Sequence, residues 1–476
     1  MKDIKLRLEN TLSRRIEEFT PISAKEVKMY TCGPTVYGRA HIGNLRAYVH
    51  ADIVKRTLEF IGYKVKHVMN ITDVGHLTSD ADEGEDKLQQ SAKKENTTAW
   101  KISKRYTKTF LSDLKRINVI LPNILAKATD NIPEQIELIK KLEGKRFTYI
   151  TDDGVYFDTS KLSDYGKLAL LDIKGLSEGK RITMGGKRNK TDFALWKLSK
   201  PNEKRDMEWK SPWGIGFPGW HIECSAMSMK YLGDQFDIHT GGIDHIPVHH
   251  TNEIAQSESA TGKKPFVKFW LHSEFLISKS GEKMSKSLGN IIDLDTLQEL
   301  GVEPMAFRYF CLNASYKSKL QLGDDSLKGA QTGYDNLKSV VSEIRREVKV
   351  RNKIKLGELG NLYLNKFTNA VADNLNTPKG LSVLWGMLKD IKLPKNEKYY
   401  LAIKFDKVLG LELAKSNKLK KVKIPTEILA LVREREKYRK EKDWGRADFI
   451  RLKIIDKGYE PLDTPSGTGV KKVTNF

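Results

Sequence analysis

The sequence predicts an α/β fold: a strand–helix–strand core, an α+β unit inserted into it, then a helical bundle and a small terminal domain. Three observations lead there. Residues 26–31 read as a strand, 45–61 as an amphipathic helix and 65–71 as a second strand, which makes a βαβ opening. Between 120 and about 206 the pattern changes to short β signals, and from 219 strand and helix alternate again. From about residue 325 the apolar period is helical almost throughout.

Taken in order, the first strand runs into Cys32-Gly33-Pro34, and His41-Ile42-Gly43-Asn44 then stands at a helix N-terminus. The insert carries a hairpin-like run at 149–157 and the basic turn Gly185-Gly186-Lys187-Arg188. Gly219-Trp220-His221-Ile222-Glu223-Cys224 leads into a helix, 234–240 is a strand and 247–260 is helical. Farther on, Asp373-Asn374-Leu375-Asn376-Thr377-Pro378 opens a helix through an Asn or Thr cap. A polar, lysine-rich linker at 414–421 precedes a charged helix at 427–442, a segment from Trp444 to Arg451, and an end through Asp463-Thr464-Pro465-Ser466-Gly467-Thr468. The boundaries drawn from these signals are 1–120 with 206–272 for the core, 121–205 for the insert, 273–328 for a linking segment, 329–412 for the bundle and 413–476 for linker and terminal domain.

A chain of 476 residues is long enough for several cores. Lys+Arg 83 against Asp+Glu 61 leaves a formal charge of +22, which makes a nucleic acid the leading candidate partner, although lysine-rich amino-acid usage gives the same balance. No apolar run reaches membrane-spanning length and Met1-Lys2-Asp3-Ile4-Lys5 lacks the apolar core of a secretory signal, so a cytoplasmic enzyme is expected. Cys32, Cys224 and Cys311 are too few and too scattered for a disulfide framework. Cys311, inside Phe307-Arg308-Tyr309-Phe310-Cys311-Leu312, is expected to pack in a core.

Two stretches carry nucleotide chemistry. Lys283-Met284-Ser285-Lys286-Ser287 follows Ser280-Gly281, and such a loop can close over a polyphosphate. His41 can donate to phosphate, Gly43 leaves room for the nucleotide to approach the backbone, and the helix behind them adds its partial positive end. A third set suits a metal. His249 and Glu253, four apart on the expected helix, point to one face; His250 competes with His249, and spacing does not choose between them. With Cys32 and Cys224 they offer two thiolates, an imidazole and a carboxylate, a donor set for tetrahedral zinc.

Over essentially its whole length the chain resembles the bacterial cysteinyl-tRNA synthetases, a class I aminoacyl-tRNA synthetase family. The residues that carry the resemblance are Tyr30-Thr31-Cys32-Gly33-Pro34-Thr35-Val36-Tyr37, Asn70-Ile71-Thr72-Asp73, Gly219-Trp220-His221-Ile222-Glu223-Cys224-Ser225-Ala226-Met227 and His249-His250-Thr251-Asn252-Glu253-Ile254-Ala255-Gln256-Ser257, with the His41 and Lys283 motifs in the required order. The resemblance implies a Rossmann-type nucleotide-binding domain and one zinc ion on Cys32, Cys224, His249 and Glu253. It also implies an amino-acid pocket lined by Thr72 and Trp220, with His239 beside it or packed at the strand end. Asp244, in Gly241-Gly242-Ile243-Asp244, would accept from nucleotide hydroxyls, and Lys283 and Lys286 would clamp pyrophosphate. L-cysteine, ATP with Mg2+ and tRNA(Cys) are the implied substrates and a monomer the implied state. The bundle and terminal domain would grip tRNA, with Arg433, Arg435, Lys437, Arg439, Lys440 and Lys442 on phosphates and Trp444 as a stacking surface. Two departures stand out: Asn44 replaces the histidine of the better-known first motif, and 74–86 is longer and more acidic than usual. The rival readings are a cysteine:amino-sugar ligase of mycothiol type and a noncatalytic RNA-binding paralogue.

Overall fold

The computed structural model describes residues 4–24, 26–75, 86–171, 187–200, 205–278, 281, 292–349, 354–415, 425–464 and 467–472. A short antiparallel hairpin, β1 (Arg7–Asn10) and β2 (Arg15–Glu18), precedes the core; it is not among the expected elements, although Leu6-Arg7-Leu8-Glu9 alternates apolar and polar residues. Then come β3 (Val27–Thr31), α1 (Ile42–Ile61) and β4 (Val65–Ile71), the two strands within one residue of the expected limits, followed by α2 (Lys87–Lys94), α3 (Ala99–Arg116) and β5 (Ile124–Lys127).

The insert follows α4 (Ile132–Gly144). Its antiparallel sheet is built from β6 (Thr148–Thr151), β7 (Gly154–Phe157), β8 (Phe193–Leu198), β9 (Trp209–Ser211) and β10 (Gly214–Pro218). The expected limits of 121–205 therefore shift at both ends. Ile124–Lys127 pairs with β4 in the core, and both strands after residue 205 belong to the insert's ladder.

The chain returns to the core through α5 (Trp220–Leu232), β11 (Phe236–Gly242), α6 (Thr251–Thr261) and β12 (Val267–Ser273). The core sheet has the order β12-β11-β3-β4-β5, and every pair is parallel. The chain thus winds outward from β3 in one direction, then comes back to β3 and winds outward in the other. Ligands bind in the crevice beyond the carboxyl ends of strands where the order reverses in this way; here those ends are Thr31 and Gly242. Alternate residues of β3 serve opposite faces: Met29 joins the core shared with the bundle, and Tyr30 the core shared with the insert.

Past β12 lie β13 (Leu276–Ile277), α7 (Leu294–Glu299), α8 (Pro304–Leu312) and β14 (Leu320–Gln321). The bundle is α9 (Asp324–Glu347), α10 (Glu358–Ala372), α11 (Thr377–Lys389) and α12 (Lys395–Leu409); the cap of α11 is Asn376, whose side chain accepts from the Lys379 N–H at 3.0 Å. Because the bundle packs on α1, that helix is not amphipathic as expected but buried all round between Tyr48 and Leu58. Its buried charges are compensated: Asp52 accepts from Arg56 at 2.7 Å and from Arg308 of α8 at 2.6 Å, and Arg308 also donates to the Leu409 carbonyl at 2.7 Å. Cys311 is buried in the same core, as expected, and burial pushes its thiol up to about 12.

The terminal unit is α13 (Thr426–Lys440), α14 (Trp444–Asp456) and a hairpin, β15 (Tyr459–Thr464) with β16 (Gly467–Lys472), around Ile428, Ile450, Ile454 and Tyr459. Among the described residues no helix is long and apolar enough to cross a membrane.

Candidate metal centre and active site

Cys32 is the first residue beyond β3, and its N–H donates to the Thr240 carbonyl at 3.1 Å, which fixes it against β11 at the point where the strand order reverses. Cys224 sits in the second turn of α5. His249 and Glu253 arrive by a route that periodicity does not predict: residues Ile246–His250 form one wide π-helical turn before α6 begins. Such turns are frequent at functional sites. Gln256 of α6 reaches back to the His221 carbonyl and the Ser225 hydroxyl of α5, both at 2.6 Å, so the two helices are tied where their ligands lie.

All four candidate donors are buried, and their donor atoms lie within 4.8 Å of one another. The same spacing holds for Cys32, His239, His250 and Glu253, so distance alone still does not choose between the adjacent histidines. Their surroundings differ. His250 has Cys32 Sγ at 3.2 Å on Nε2 and His272 at 2.7 Å on Nδ1, whereas His249 faces the open cavity with Nε2 3.0 Å from Glu253 and Nδ1 3.0 Å from His221.

The electrostatics favour the ionised forms of Glu253 and Cys224 but not of Cys32. Burial pushes the Glu253 carboxyl up, but His239 and His249 pull it down to about 2. Burial likewise opposes ionisation of Cys224, yet its hydrogen bond with Cys32 and the attraction of His249 bring the thiol to about 7. Cys32 stays well above the usual thiol range through burial and its neighbour Cys224. His249 is held protonated to about 10 because Cys224 and Glu253 outweigh its burial. This is a buried, partly anionic set of two sulfur donors, one imidazole and one carboxylate that a divalent cation would complete, releasing protons as it binds.

A cavity of about 330 Å³ opens beside these donors. Cys32, Thr72, Trp220, Cys224, Asp244 and His249 line it, and so do His41, Gly43 and Asn44. Trp220 stacks on His249 with ring centres 4.2 Å apart. Asp244 lies in a short turn, Ile243–His245, directly after β11. Gly241 ahead of it has no room for a side chain, since a Cβ would come within 2.7 Å of both His245 and His250. His239 is not on the cavity wall: it is buried behind Glu253, 3.0 Å from its second oxygen, and stacks on Trp270 at 4.6 Å. The structure thus sets it against the carboxylate, in the middle of β11.

His41 is the N-cap of α1, and Gly43 is required there because a Cβ would lie 2.9 Å from the His41 ring. Lys283 and Lys286 lie outside the described residues, as do residues 76–85 of the acidic run; Asp86 at its end caps α2. In α13, Arg435 is buried rather than on the basic face, while Trp444 is 59% exposed. Asn70, Glu223, His221 and His272 also belong to the site; the first three stand inside the motifs quoted above without a role that spacing could assign, and His272 stands outside them. His221 and Glu223 stand beside Trp220 and Cys224 in the chain, but only the tertiary fold brings all four to the cavity and its metal-ligating side.

Residues 18–332 match the model of the tRNA synthetases class I (C) catalytic domain. A protein named cysteine–tRNA ligase 1 from Burkholderia lata is 49% identical over 97% of this chain and 96% of its own length. The cysteine–tRNA ligase of Zymomonas mobilis is 43% identical over 95% of both chains, and that of Treponema denticola 43% over 98% of this chain and 100% of its own. Among solved structures, the fold matches Mycobacterium tuberculosis methionyl-tRNA synthetase with TM-score 0.53 at 15% identity, covering 81% of this chain and 90% of that one. It also matches the leucyl-tRNA synthetase of Agrobacterium radiobacter with TM-score 0.55 at 12% identity, covering 84% and 86%. Strand order, ligand cluster and full-length similarity converge: the chain belongs to the cysteine–tRNA ligase family of class I aminoacyl-tRNA synthetases.

Proposed function

We propose that the protein activates L-cysteine with ATP to cysteinyl-adenylate and transfers it to the 3′-terminal adenosine of tRNA(Cys), as a cytoplasmic monomer that selects its amino acid with zinc. The observation that carries this reading is the convergence of the Cys32, Cys224, His249 and Glu253 donors on one point beside a cavity, lined by the first three, that also borders the His41 end of α1. Those four residues would hold the zinc, which when bound supplies a Lewis acid that takes a thiol in preference to a hydroxyl. A pocket that engages a functional group directly rejects its absence far more strongly than an apolar pocket rejects an isostere, by roughly 10⁴ or more against about 10–200-fold.

The chain's own groups do the rest. Trp220 fixes the His249 ring by stacking and walls the amino-acid end. His41 Nδ1 accepts from the Asn44 N–H at 3.2 Å, so in the neutral ring the proton sits on Nε2, the nitrogen that can donate to an α-phosphate oxygen. As the amino-acid carboxylate attacks the α-phosphorus, negative charge gathers on phosphate oxygens; the α1 N-terminus and His41 oppose it, and Lys283 and Lys286 follow the departing pyrophosphate with its Mg2+. Asp244 accepts from the ribose. The bundle and terminal unit take the tRNA, with Trp444 as a stacking surface.

The test is aminoacylation of tRNA(Cys) with cysteine and with serine, side by side, with metal measured on the same preparation. Cysteinylation by zinc-loaded protein and no serylation is the expected result; transfer to an amino sugar instead of tRNA would overturn it.

A further inference from the structure

Gly33, Asn70, Thr72 and Glu223 form a hydrogen-bond chain with a fixed direction. The Gly33 N–H can only donate, and it donates to Asn70 Oδ1 at 2.6 Å. That sets the Asn70 amide so that its Nδ2 donates to Thr72 Oγ1 at 2.9 Å. The Thr72 hydroxyl must then send its own proton elsewhere, and it goes to Glu223 Oε2 at 3.2 Å. Asn70, Thr72 and Glu223 are all buried, at 1%, 1% and 0% exposure, so water does not compete for these bonds.

A hydroxyl has one proton and two lone pairs. In Thr72 the proton is committed to Glu223 and one lone pair to Asn70, and Thr72 lines the cavity beside Cys32 and Cys224. What remains for the cavity is an acceptor. Without the carboxylate the hydroxyl could turn and present its proton there instead, which repels a cation. Glu223 is not on the cavity wall, but its buried carboxylate also biases that end of the cavity toward positive charge.

We propose that Glu223 is a positioning residue that, through Thr72, fixes recognition of the α-ammonium group of the amino-acid substrate. This rests on the reading of cysteine as that substrate. The metal cluster reads one end of the molecule and this relay another, so a thiol lacking an ammonium group is discriminated against without any contact to sulfur.

The experiment compares the parent protein with E223Q, T72S and T72V in ATP–pyrophosphate exchange driven by cysteine or by 3-mercaptopropionate, with zinc content measured for each. E223Q is expected to raise the KM for cysteine by on the order of tenfold or more, the worth of a charge-assisted hydrogen bond. It should leave the KM for ATP and the zinc content unchanged and narrow the preference for cysteine over 3-mercaptopropionate by the same factor. T72S, which keeps the hydroxyl, should retain more of the preference for cysteine over 3-mercaptopropionate than T72V, which removes it. If E223Q does not fold, the Thr72 pair decides. A parental KM for cysteine in E223Q or T72V, equal losses with both thiols, or loss of zinc along with activity would overturn the proposal. A parent protein that does not activate cysteine would overturn the functional reading itself, which is a different result from an active parent with unaffected variants.

Discussion

Asn44 and His41 cap each other. The Asn44 N–H donates to His41 Nδ1 at 3.2 Å and the His41 N–H donates to Asn44 Oδ1 at 3.3 Å, a reciprocal capping box at the start of α1. The residue that departs from the better-known motif thus holds in place the histidine whose outer nitrogen can serve the phosphates.

Replacing Asn44 by Ala should therefore cost about 1 kcal/mol of stability through the lost cap and raise the KM for ATP. Asn44→Asp, which keeps the acceptor, should retain most of the stability. Urea unfolding alongside pyrophosphate exchange checks both, and an N44A protein of unchanged stability would contradict the capping role.

Stripping the metal should abolish cysteine-dependent pyrophosphate exchange, and zinc should restore it. Cys224→Ser and Glu253→Gln should both bind less zinc while keeping their far-ultraviolet circular dichroism, because Cys224 is one of many members of the core it joins and Ser is nearly its size, while Glu253 belongs to neither hydrophobic core. Full exchange in protein shown to be metal-free is the outcome that refutes it.

Arg308→Met should be among the most damaging substitutions far from the cavity. It leaves Asp52, wholly buried, with Arg56 as its remaining cation, and removes the donor to the Leu409 carbonyl. Breaking a buried pair in this way costs about 3–5 kcal/mol. Denaturant titration reads the loss; a change below about 1 kcal/mol would show that the pair is dispensable.

Stability should fall as pH is lowered through the range just below neutrality. Burial depresses His50 and His67 to about 3, helped by Arg46 and Lys55 respectively. Between pH 6.5 and 3 the unfolded chain takes up protons at these sites and the folded one does not, so each contributes a slope of up to about 1.4 kcal/mol per pH unit. His50 stacks on Tyr316 with ring centres 4.1 Å apart, and His50→Phe should keep that packing while making the profile between pH 7 and 5 shallower than the parent's.

What can be read from the sequence is local. Strands 27–31 and 65–71 and the helix between them follow from periodicity, and the four-residue step from His249 to Glu253 survives the π turn because the helix continues past it. Burial imposed by distant elements is hidden. Nothing within α1 says that a bundle will cover its polar side, and Arg435 looks like any other base of a charged helix until the terminal unit folds around Ile428 and Ile450 and buries it. The Thr72–Glu223 bond joins residues 151 apart, and spacing rules have no reach at that distance. The terminal hairpin escapes such rules because its polar strands show no alternation.

The switch in strand order has a consequence for biosynthesis. β3 emerges from the ribosome about 200 residues before β11, its second neighbour in the sheet. Until that neighbour is translated the nascent half-sheet exposes one edge of β3, an open template for wrong pairing. Completion of the sheet and closure of the catalytic centre are therefore one late event in the life of the growing chain, and agents that slow elongation between the codons for Cys32 and Glu253 prolong the time that edge stays unpaired.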